Sequence, residues 1–245
     1  RLNNNNKSPN IGGDLKNFDN IEFVKQGAIG KSSRSNLITY LKGFDEVRKL
    51  FASQRYSKLN NLTAKHFSFN TDGGRCDNCK GDGFILIDMQ FMSDIKITCE
   101  DCQGKRYKDN VLNAFYNNKN INDLLRMTID ELYDFFIKND LKKITRYLEP
   151  LKKVGLGYVK SGQTLSTLSG GELQRLKLAS FLNINLKNSI LIFDEPTTGL
   201  HLHDIKKLLN SFNEILKNNN TIIIIEHNME VIKSSDWIIE LGPEG

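Results

Sequence analysis

Two stretches of the chain decide its fold class: TLSTLSGGELQR at Thr164–Arg175 and ILIFDEPTTGLH at Ile190–His201. In the first stretch, Ser169 can cap the start of a helix while Glu172 reaches back to it, which is the pattern of a capping box. Between these two residues, Gly170-Gly171 leaves the start of the helix without side chains. Its backbone N–H groups and its dipole can therefore meet a phosphate group.

The second stretch predicts a buried strand that ends in two acids. The apolar run Ile190–Phe193 is typical of a parallel strand. Asp194 and Glu195 follow it at the carboxyl end, where α/β sheets bind their ligands. An aspartate there can hold Mg²⁺ through water, and an adjacent glutamate can polarise an attacking water. The alternative without function is a capped surface helix and a strand that ends in acids by chance. The order of both stretches, with Glu226-His227 downstream, instead favours the ATP sandwich of ABC-type ATPases.

The cysteines predict a metal site. They form two pairs, with two residues inside each pair and nineteen between the pairs: Cys76, Cys79, Cys99 and Cys102. This spacing is typical of a zinc ion bound by four thiolates, which leaves no position open for water and indicates a structural role. Strands at Phe84–Phe91 and Ile95–Thr98 would form a hairpin that brings the two pairs together. Disulfides are one alternative, and they are less favoured because no signal peptide is visible and the ATPase motifs indicate the cytosol. A redox pair is the other alternative, and it is less favoured because two identical cysteine pairs suggest one metal.

Several motifs in a fixed order carry a resemblance to a known family. They are HFSFNTDGGRCDNCKGDG (His66–Gly83), CEDCQGKRY (Cys99–Tyr107), TLSGGELQRLKLA, DEPTTGLH and EHNMEVIKSSDWIIELGPEG. Over nearly its whole length the chain resembles the C-terminal half of the UvrA family, the damage-recognising ATPases of bacterial nucleotide excision repair. The resemblance implies an α/β fold: an ABC-type ATPase core, a parallel sheet with helices, and an inserted α+β signature domain that carries the four-cysteine zinc module.

The resemblance also implies roles for individual residues. Glu195 would be catalytic and His227 would sense the γ-phosphate. The nucleotide, ATP with Mg²⁺, would be contacted by Gln26, Ser169, Gly170, Gly171, Glu172 and Asp194. Zn²⁺ would be structural. The implied partners are damaged double-stranded DNA, a UvrB-type repair protein and, in the full-length protein, a second copy in a homodimer, all in the cytoplasm.

One expected motif is missing from the sequence. No G-x-x-x-x-G-K-[ST] loop is present, and the nearest run, Gly27–Ser33, is too short between its glycines to wrap a phosphate. In the resemblance this run follows the Q-loop glutamine Gln26, so Lys31 is expected to face the surface or DNA. We therefore expect the chain to be a fragment or a truncated relative that begins after its phosphate loop and is inactive as an ATPase alone.

Basic residues are concentrated in one block. Residues 138–160 hold seven lysines and arginines against two acids, an excess that equals the net charge of +5 for the whole chain. Such a patch can bind a phosphate backbone without reading sequence, with Lys142 and Lys143 as candidate contacts. The resemblance implies that the zinc-bearing insertion lies near the DNA, which adds Lys105 and Arg106 as candidates. A solvated helix face is the alternative. No apolar run approaches the ~20 residues of a membrane span, so no membrane partner is expected.

The motifs also predict how the chain is organised. Residues 1–34 would be a core segment with the Q-loop, 35–159 the inserted signature domain with its zinc module at about 67–107, and 160–245 the rest of the ATPase core. Predicted helices cover residues 35–52, 128–136, 141–154 (kinked or divided at Pro150), 170–184, 203–218 and 228–234. Predicted strands cover residues 21–25, 189–193, 221–226 and 237–241.

Other functional classes stay open at this point. Without its own phosphate loop, the chain could be a non-catalytic zinc-containing module that binds DNA or protein. A UvrA-like paralogue that protects against DNA-binding drugs would share every motif. The cysteine pairs also resemble those of DnaJ-type co-chaperones, although those proteins have four such pairs and this chain has two.

Overall fold

The computed structural model describes residues 18–24, 35–87, 89, 94–184 and 186–242. Gln26 and the run Gly27–Ser33 lie outside the described residues. The chain divides into two compact units. One comprises Arg1–Gly27, Lys153–Leu156 and Ser169–Gly245, and the other comprises Ala28–Lys152 and Gly157–Leu168.

The strands and helices of the core follow the order that the sequence predicts, and the insertion adds three short helices, at residues 55–59, 109–112 and 121–126, that were not predicted. The strands are β1 (Asn20–Val24), β2 (Phe84–Ile87), β3 (Ile95–Thr98), β4 (Ser189–Asp194) and β5 (Thr221–Ile225). The helices are α1 (Leu37–Tyr40), α2 (Phe44–Ala52), α3 (Arg55–Leu59), α4 (Asp109–Leu112), α5 (Ile121–Arg126), α6 (Ile129–Lys138), α7 (Lys142–Lys153), α8 (Gly170–Ile184), α9 (Leu202–Leu216) and α10 (Met229–Lys233).

The first unit is built on a parallel sheet. Its described strands lie in the order β1-β4-β5, and both pairings are parallel. The central strand β4 alternates buried and half-buried side chains, as a strand does when one face packs more tightly than the other. Phe193 of β4 packs against Phe212 of α9, with ring centroids 5.0 Å apart. The predicted parallel sheet with helices is confirmed.

The second unit combines a two-stranded hairpin with short helices. Strands β2 and β3 pair antiparallel, with Phe84 opposite Thr98. The core of this unit is rich in aromatic side chains, and Phe51, Phe67 and Tyr107 are almost completely buried. The Tyr107 hydroxyl donates to the Phe67 carbonyl oxygen over 3.0 Å, so this buried polar group has a partner.

One predicted helix is divided in the structure. Residues 35–52 form α1 and α2 rather than a single helix. Lys42, between them, has a left-handed backbone with φ of 63°. The next residue, Gly43, lies so close to α7 that a Cβ atom there would be 2.8 Å from the Tyr147 Cβ atom. The close approach of α7 requires glycine at this position, and the apolar periodicity that predicted one helix does not report it.

Pro150 and the end of the chain complete the comparison. Of the two outcomes predicted at Pro150, a kink or a division, the structure excludes the division, because α7 continues through Pro150 to Lys153. The side chains of Leu148 and Leu151, on either side of the proline, are fully buried, and this packing opposes a break. The predicted strand at residues 237–241 is wrong: this segment has no regular structure, and Trp237 is 82% exposed. An apolar run forms a strand only where a neighbouring strand accepts its backbone hydrogen bonds.

No helix among the described residues is both long enough and apolar enough to cross a membrane.

Candidate functional site

The start of helix α8 has the geometry that the sequence predicts. The backbone N–H of Ser169 donates to Glu172 Oε2 over 2.7 Å. In return, the Ser169 hydroxyl accepts from the backbone N–H of Glu172 over 3.3 Å, so both bonds of the capping box are present. Gly171 is buried, and a Cβ atom there would lie 2.8 Å from the carbonyl oxygen of Thr198. Glycine at this position therefore lets the first turn of α8 approach the loop after β4.

The two acids of the second stretch lie at the carboxyl end of β4, as predicted. Asp194 is the last residue of the strand and is half-buried. Glu195 follows with φ of 46°, in the left-handed region that residues other than glycine rarely adopt. Its N–H donates to the Ile225 carbonyl oxygen over 2.9 Å, and this bond to β5 helps to hold the turn. Such strained positions concentrate at functional sites.

The structure brings Glu195 and His227 together. His227 follows β5, and its Nε2 atom lies 3.7 Å from Glu195 Oε1. The Thr198 hydroxyl lies 3.5 Å from the other oxygen of the same carboxylate. Both the imidazole and the carboxylate are accessible to solvent, at 86% and 46% exposure. A carboxylate and an imidazole at one edge of a parallel sheet can position a water molecule and contact a phosphate group.

Glu226 organises the same edge of the sheet, although no motif assigned it a role of its own. One of its carboxylate oxygens accepts from the N–H and the hydroxyl of Thr197, and the other accepts from the N–H groups of His227 and Asn228. Partial burial raises the pKa of Glu226, but these hydrogen bonds outweigh burial and lower the pKa below its ordinary value. Glu226 thus joins the loop after β4 to the loop after β5.

Two buried polar residues of α8 were also missed by the sequence analysis. Gln174 is 1% exposed, and its amide donates to the carbonyl oxygens of Val24 and Asp194, which end β1 and β4. Arg175 is 3% exposed, and its Nε and Nη1 atoms have no hydrogen-bond partner among the described residues. The signal that could have identified them is the pair of polar residues one position after the capping box, because a buried arginine needs a structural or functional partner.

The four cysteines form one buried cluster in the second unit. The sulfur atoms of Cys76, Cys79, Cys99 and Cys102 all lie within 4.8 Å of one another. The Sγ atoms of Cys76 and Cys99 are 3.9 Å apart, and those of Cys79 and Cys102 are 3.6 Å apart. For zinc bound about 2.3 Å from each sulfur, a regular tetrahedron separates the sulfurs by about 3.8 Å. The four thiols therefore fit zinc, and all four are free rather than joined by disulfides.

The backbone around the cluster is the same in both cysteine pairs. Cys79 is followed by two residues with positive φ, Lys80 and Gly81, and Cys102 is followed in the same way by Gln103 and Gly104. Each of these turns is closed by a backbone hydrogen bond back to the second cysteine of the pair. Two equivalent turns therefore present their sulfurs to one point, which explains how a short hairpin assembles four ligands.

Burial opposes the ionisation of thiols in this cluster. It raises the pKa of Cys76 and raises that of Cys102 to about 12. Burial also acts to raise the pKa of Cys99, but hydrogen bonds from the backbone N–H groups of Cys102 and Asp101 outweigh it and lower the pKa. Thiols that ionise poorly on their own become thiolates when a cation supplies the opposing charge.

The structure places the predicted DNA-contacting residues at two different locations. Lys105 and Arg106 follow the second cysteine pair and are half-buried. The Arg106 guanidinium lies over the Phe69 ring, 5.5 Å from its centroid. Lys142 and Lys143 are exposed at the start of α7, where Lys142 pairs with Asp140 over 3.5 Å.

The chain is similar to known proteins over nearly all of its length. A family model described as ABC transporter matches residues 82–198. The chain is 48% identical to UvrABC system protein A of Aquifex aeolicus over 232 residues, which is 94% of this chain and 25% of that protein. It is 47% identical to UvrABC system protein A of Clostridium tetani over 249 residues, which covers 100% of this chain and 26% of that protein.

A solved structure is also similar to the chain over nearly all of its length. UvrA2 from Deinococcus radiodurans superimposes with a TM-score of 0.88 at 42% identity, covering 95% of this chain and 28% of that chain. The chain thus spans about a quarter of the length of the curated relatives that it matches. With its ABC-type sheet and four-thiol cluster, the chain is a homologue, over nearly its whole length, of one segment of UvrABC system protein A.

Proposed function

We propose that the chain supplies part of the ATP-hydrolysing site of a UvrA-type subunit that recognises DNA damage in nucleotide excision repair. The observation that supports this proposal most directly is the arrangement of Glu195 and His227, 3.7 Å apart at the carboxyl edge of the sheet. The second support is 48% identity to a UvrABC system protein A over 94% of the chain. A cytoplasmic location, a UvrB-type partner, an SOS-linked role and a homodimer of the complete protein belong to the same proposal.

Each residue of the site has a proposed task. Asp194 would hold Mg²⁺ through water, and Glu195 would orient the attacking water. His227 would contact the γ-phosphate. The capped start of α8, from Ser169 to Glu172, would cover a nucleotide held by a phosphate loop from elsewhere. Gln26 keeps its proposed role as the Q-loop glutamine.

Zinc is proposed to be structural. Four thiolates complete a tetrahedral site, so the ion has no open position for substrate or water. Its contribution would be to hold the hairpin and the two cysteine turns in one arrangement. Lys105 and Arg106 lie directly after the second turn, so the zinc ion would hold them in a fixed position from which to contact the phosphate backbone of DNA.

A chimera tests the catalytic proposal. The chain replaces the matching 232-residue segment of UvrABC system protein A from Staphylococcus aureus, to which it is 49% identical. We expect the chimera to hydrolyse ATP, and Glu195→Gln to lower kcat by a factor of about 10² or more while ATP binding is retained. The matched control is Glu230→Gln, which removes the charge of an exposed glutamate in α10 and should leave kcat unchanged.

ATP hydrolysis by the isolated chain and by the chimera together distinguishes the alternative functions. The isolated chain should hydrolyse ATP at no more than background, because its sequence contains no phosphate loop. Magnesium-dependent hydrolysis by the isolated chain that Glu195→Gln abolishes would contradict this expectation. A chimera with full ATP hydrolysis after Glu195→Gln would instead favour a non-catalytic zinc module.

A further inference from the structure

A cavity of about 320 Å³ lies in the second unit beside the cysteine cluster. Three parts of the chain form its wall: the second cysteine turn, helix α5, and the segment that leads towards α8. Its lining includes Arg106, Arg126, Lys160, Gly162, Gln163 and Thr164. None of them belongs to the acidic edge of the sheet, which is part of the other unit.

The charge of this lining is entirely positive. It contains three cations, Arg106, Arg126 and Lys160, and no carboxylate. In the part of the chain that the structure describes, neither Arg126 nor Lys160 forms an ion pair. The nearby hydroxyl and amide groups of Thr164, Thr167, Gln163 and Asn122 add hydrogen-bonding groups to the wall.

Several lysines of the surrounding basic block are already neutralised. Lys152 pairs with Asp130 over 3.3 Å and with Asp134 over 3.8 Å. Lys153 pairs with Glu214 over 3.0 Å. Lys160 differs from both because it faces a cavity with two arginines and has no described acidic partner.

The cavity wall is fixed by packing and hydrogen bonds. Gly162 donates its N–H to the Leu125 carbonyl oxygen over 2.9 Å, and a Cβ atom at Gly162 would lie 2.7 Å from that oxygen. Arg106 Nη1 donates to the Gly162 carbonyl oxygen over 3.3 Å. Because this bond uses one N–H of the five in a guanidinium, Arg106 retains donors for a ligand.

We propose that this cavity binds a phosphate group. Guanidinium groups suit phosphate because their planar donors can form paired, charge-assisted hydrogen bonds. Three cations and no carboxylate in the lining give the cavity a positive charge that attracts a phosphate anion, and the volume also admits an attached sugar. The phosphate could come from a nucleic-acid backbone or from a free nucleotide or inorganic phosphate, and an experiment with two arms distinguishes these sources.

In the first arm, calorimetry measures the binding of inorganic phosphate to the 245-residue chain during a titration in chloride buffer. It uses the double variant Arg126→Gln with Lys160→Gln, because both residues are exposed and should not affect folding. The matched control is Arg55→Gln with Lys58→Gln, which removes two positive charges from exposed positions of α3. We expect saturable binding in the unsubstituted chain and the control, and a loss of about tenfold or more in the double variant.

The second arm measures duplex DNA binding by fluorescence anisotropy across a salt series. A slope of log K against log salt that falls by about 1 in the double variant would identify a DNA phosphate as the ligand. An unchanged slope together with lost phosphate binding would identify free phosphate or a nucleotide. Absence of saturable phosphate binding, or equal binding by the double variant and the control, would overturn the proposal. The phosphate titration contains neither ATP nor DNA, so its result is independent of the proposed repair function.

Discussion

At the scale of single residues, the acidic edge of the sheet depends on how carboxylates are held as well as on which are present. Glu195 is accessible, has a left-handed backbone and faces His227. Glu226, the next acid along this edge, instead accepts hydrogen bonds through both oxygens from the loops on either side. The first carboxylate is suited to chemistry and the second to positioning.

Glu226→Gln tests this difference. The amide can replace only one carboxylate oxygen, so its NH₂ group must face N–H donors of the backbone. We expect the free energy of unfolding to fall by about 1–2 kcal/mol, allowing for solvent around this half-buried side chain. Urea unfolding of the chain measures the change, with Glu230→Gln as the matched control.

The pH dependence of the same variant gives an independent check. Because the folded state lowers the pKa of Glu226, its carboxylate stabilises the fold above the ordinary glutamate pKa of about 4.3. This contribution is lost as the pH falls through the folded-state value. The stability difference between Glu226→Gln and the unsubstituted chain should therefore be full at neutral pH and shrink in acid. A difference that persists unchanged in strong acid would show that another property of Glu226 matters.

At the scale of elements, sequence patterns correctly predicted the helices and strands whose bounds depend on residues close together in the chain. The bounds of α8 match the prediction, since the capping box at Ser169 and Glu172 is a local signal. The hairpin was also predicted: β2 covers Phe84–Ile87, and most of the predicted extension to Phe91 lies outside the described residues. The failures come from distant parts of the chain. The division between α1 and α2 depends on Tyr147 of α7, and the segment at 237–241 lacks a described strand partner.

The residues of the candidate site also fall into those predicted from local motifs and those that only the fold brings together. Motifs predicted Glu195, His227 and the four cysteines because each motif states its chemistry within a few residues. Gln174 was missed because its amide contacts the ends of β1 and β4, and only the folded sheet brings those carbonyl groups beside α8. The cavity lined by Arg106, Arg126 and Lys160 was also missed, because the three residues are far apart in the sequence.

At this scale, the metal content of the four-cysteine cluster can be tested. Purified chain should contain about one zinc ion, measured by mass spectrometry of the metal, with release on acidification because protons compete for the thiolates. Cys99→Ser should reduce the zinc content and increase hydrogen exchange in the hairpin and both cysteine turns. Exchange in the sheet formed by β1, β4 and β5 should change little, because those strands lie in the other compact unit. Protein that lacks zinc when purified without chelator and contains a disulfide would contradict the assignment.

At the scale of the whole molecule, the net charge of +5 does not describe the surface that DNA would meet. Several lysines of the basic block are paired with acids, including Lys152 with Asp130 and Lys153 with Glu214. Charges in such pairs contribute less to an electrostatic surface than unpaired ones. The positions expected to matter most are therefore those near the cysteine cluster and Lys143 at the exposed start of α7, since Lys142 is itself paired with Asp140.

Duplex DNA binding by the chain should tolerate any sequence and weaken steeply with salt, because binding to the phosphate backbone releases counterions and carries no base information. Lys105→Ala with Arg106→Ala should weaken binding to all duplexes alike and reduce the salt slope by about 1 for each phosphate that is no longer neutralised. Lys142→Ala with Lys143→Ala tests the start of α7 separately, and Arg55→Gln with Lys58→Gln controls for the loss of charge alone. Fluorescence anisotropy with a damaged and an undamaged duplex measures all of these variants. If affinity does not depend on salt, or if both alanine pairs bind as the control does, these lysines and Arg106 are solvated surface residues, and any preference for damage must arise elsewhere in a complete protein, through deformation of the duplex.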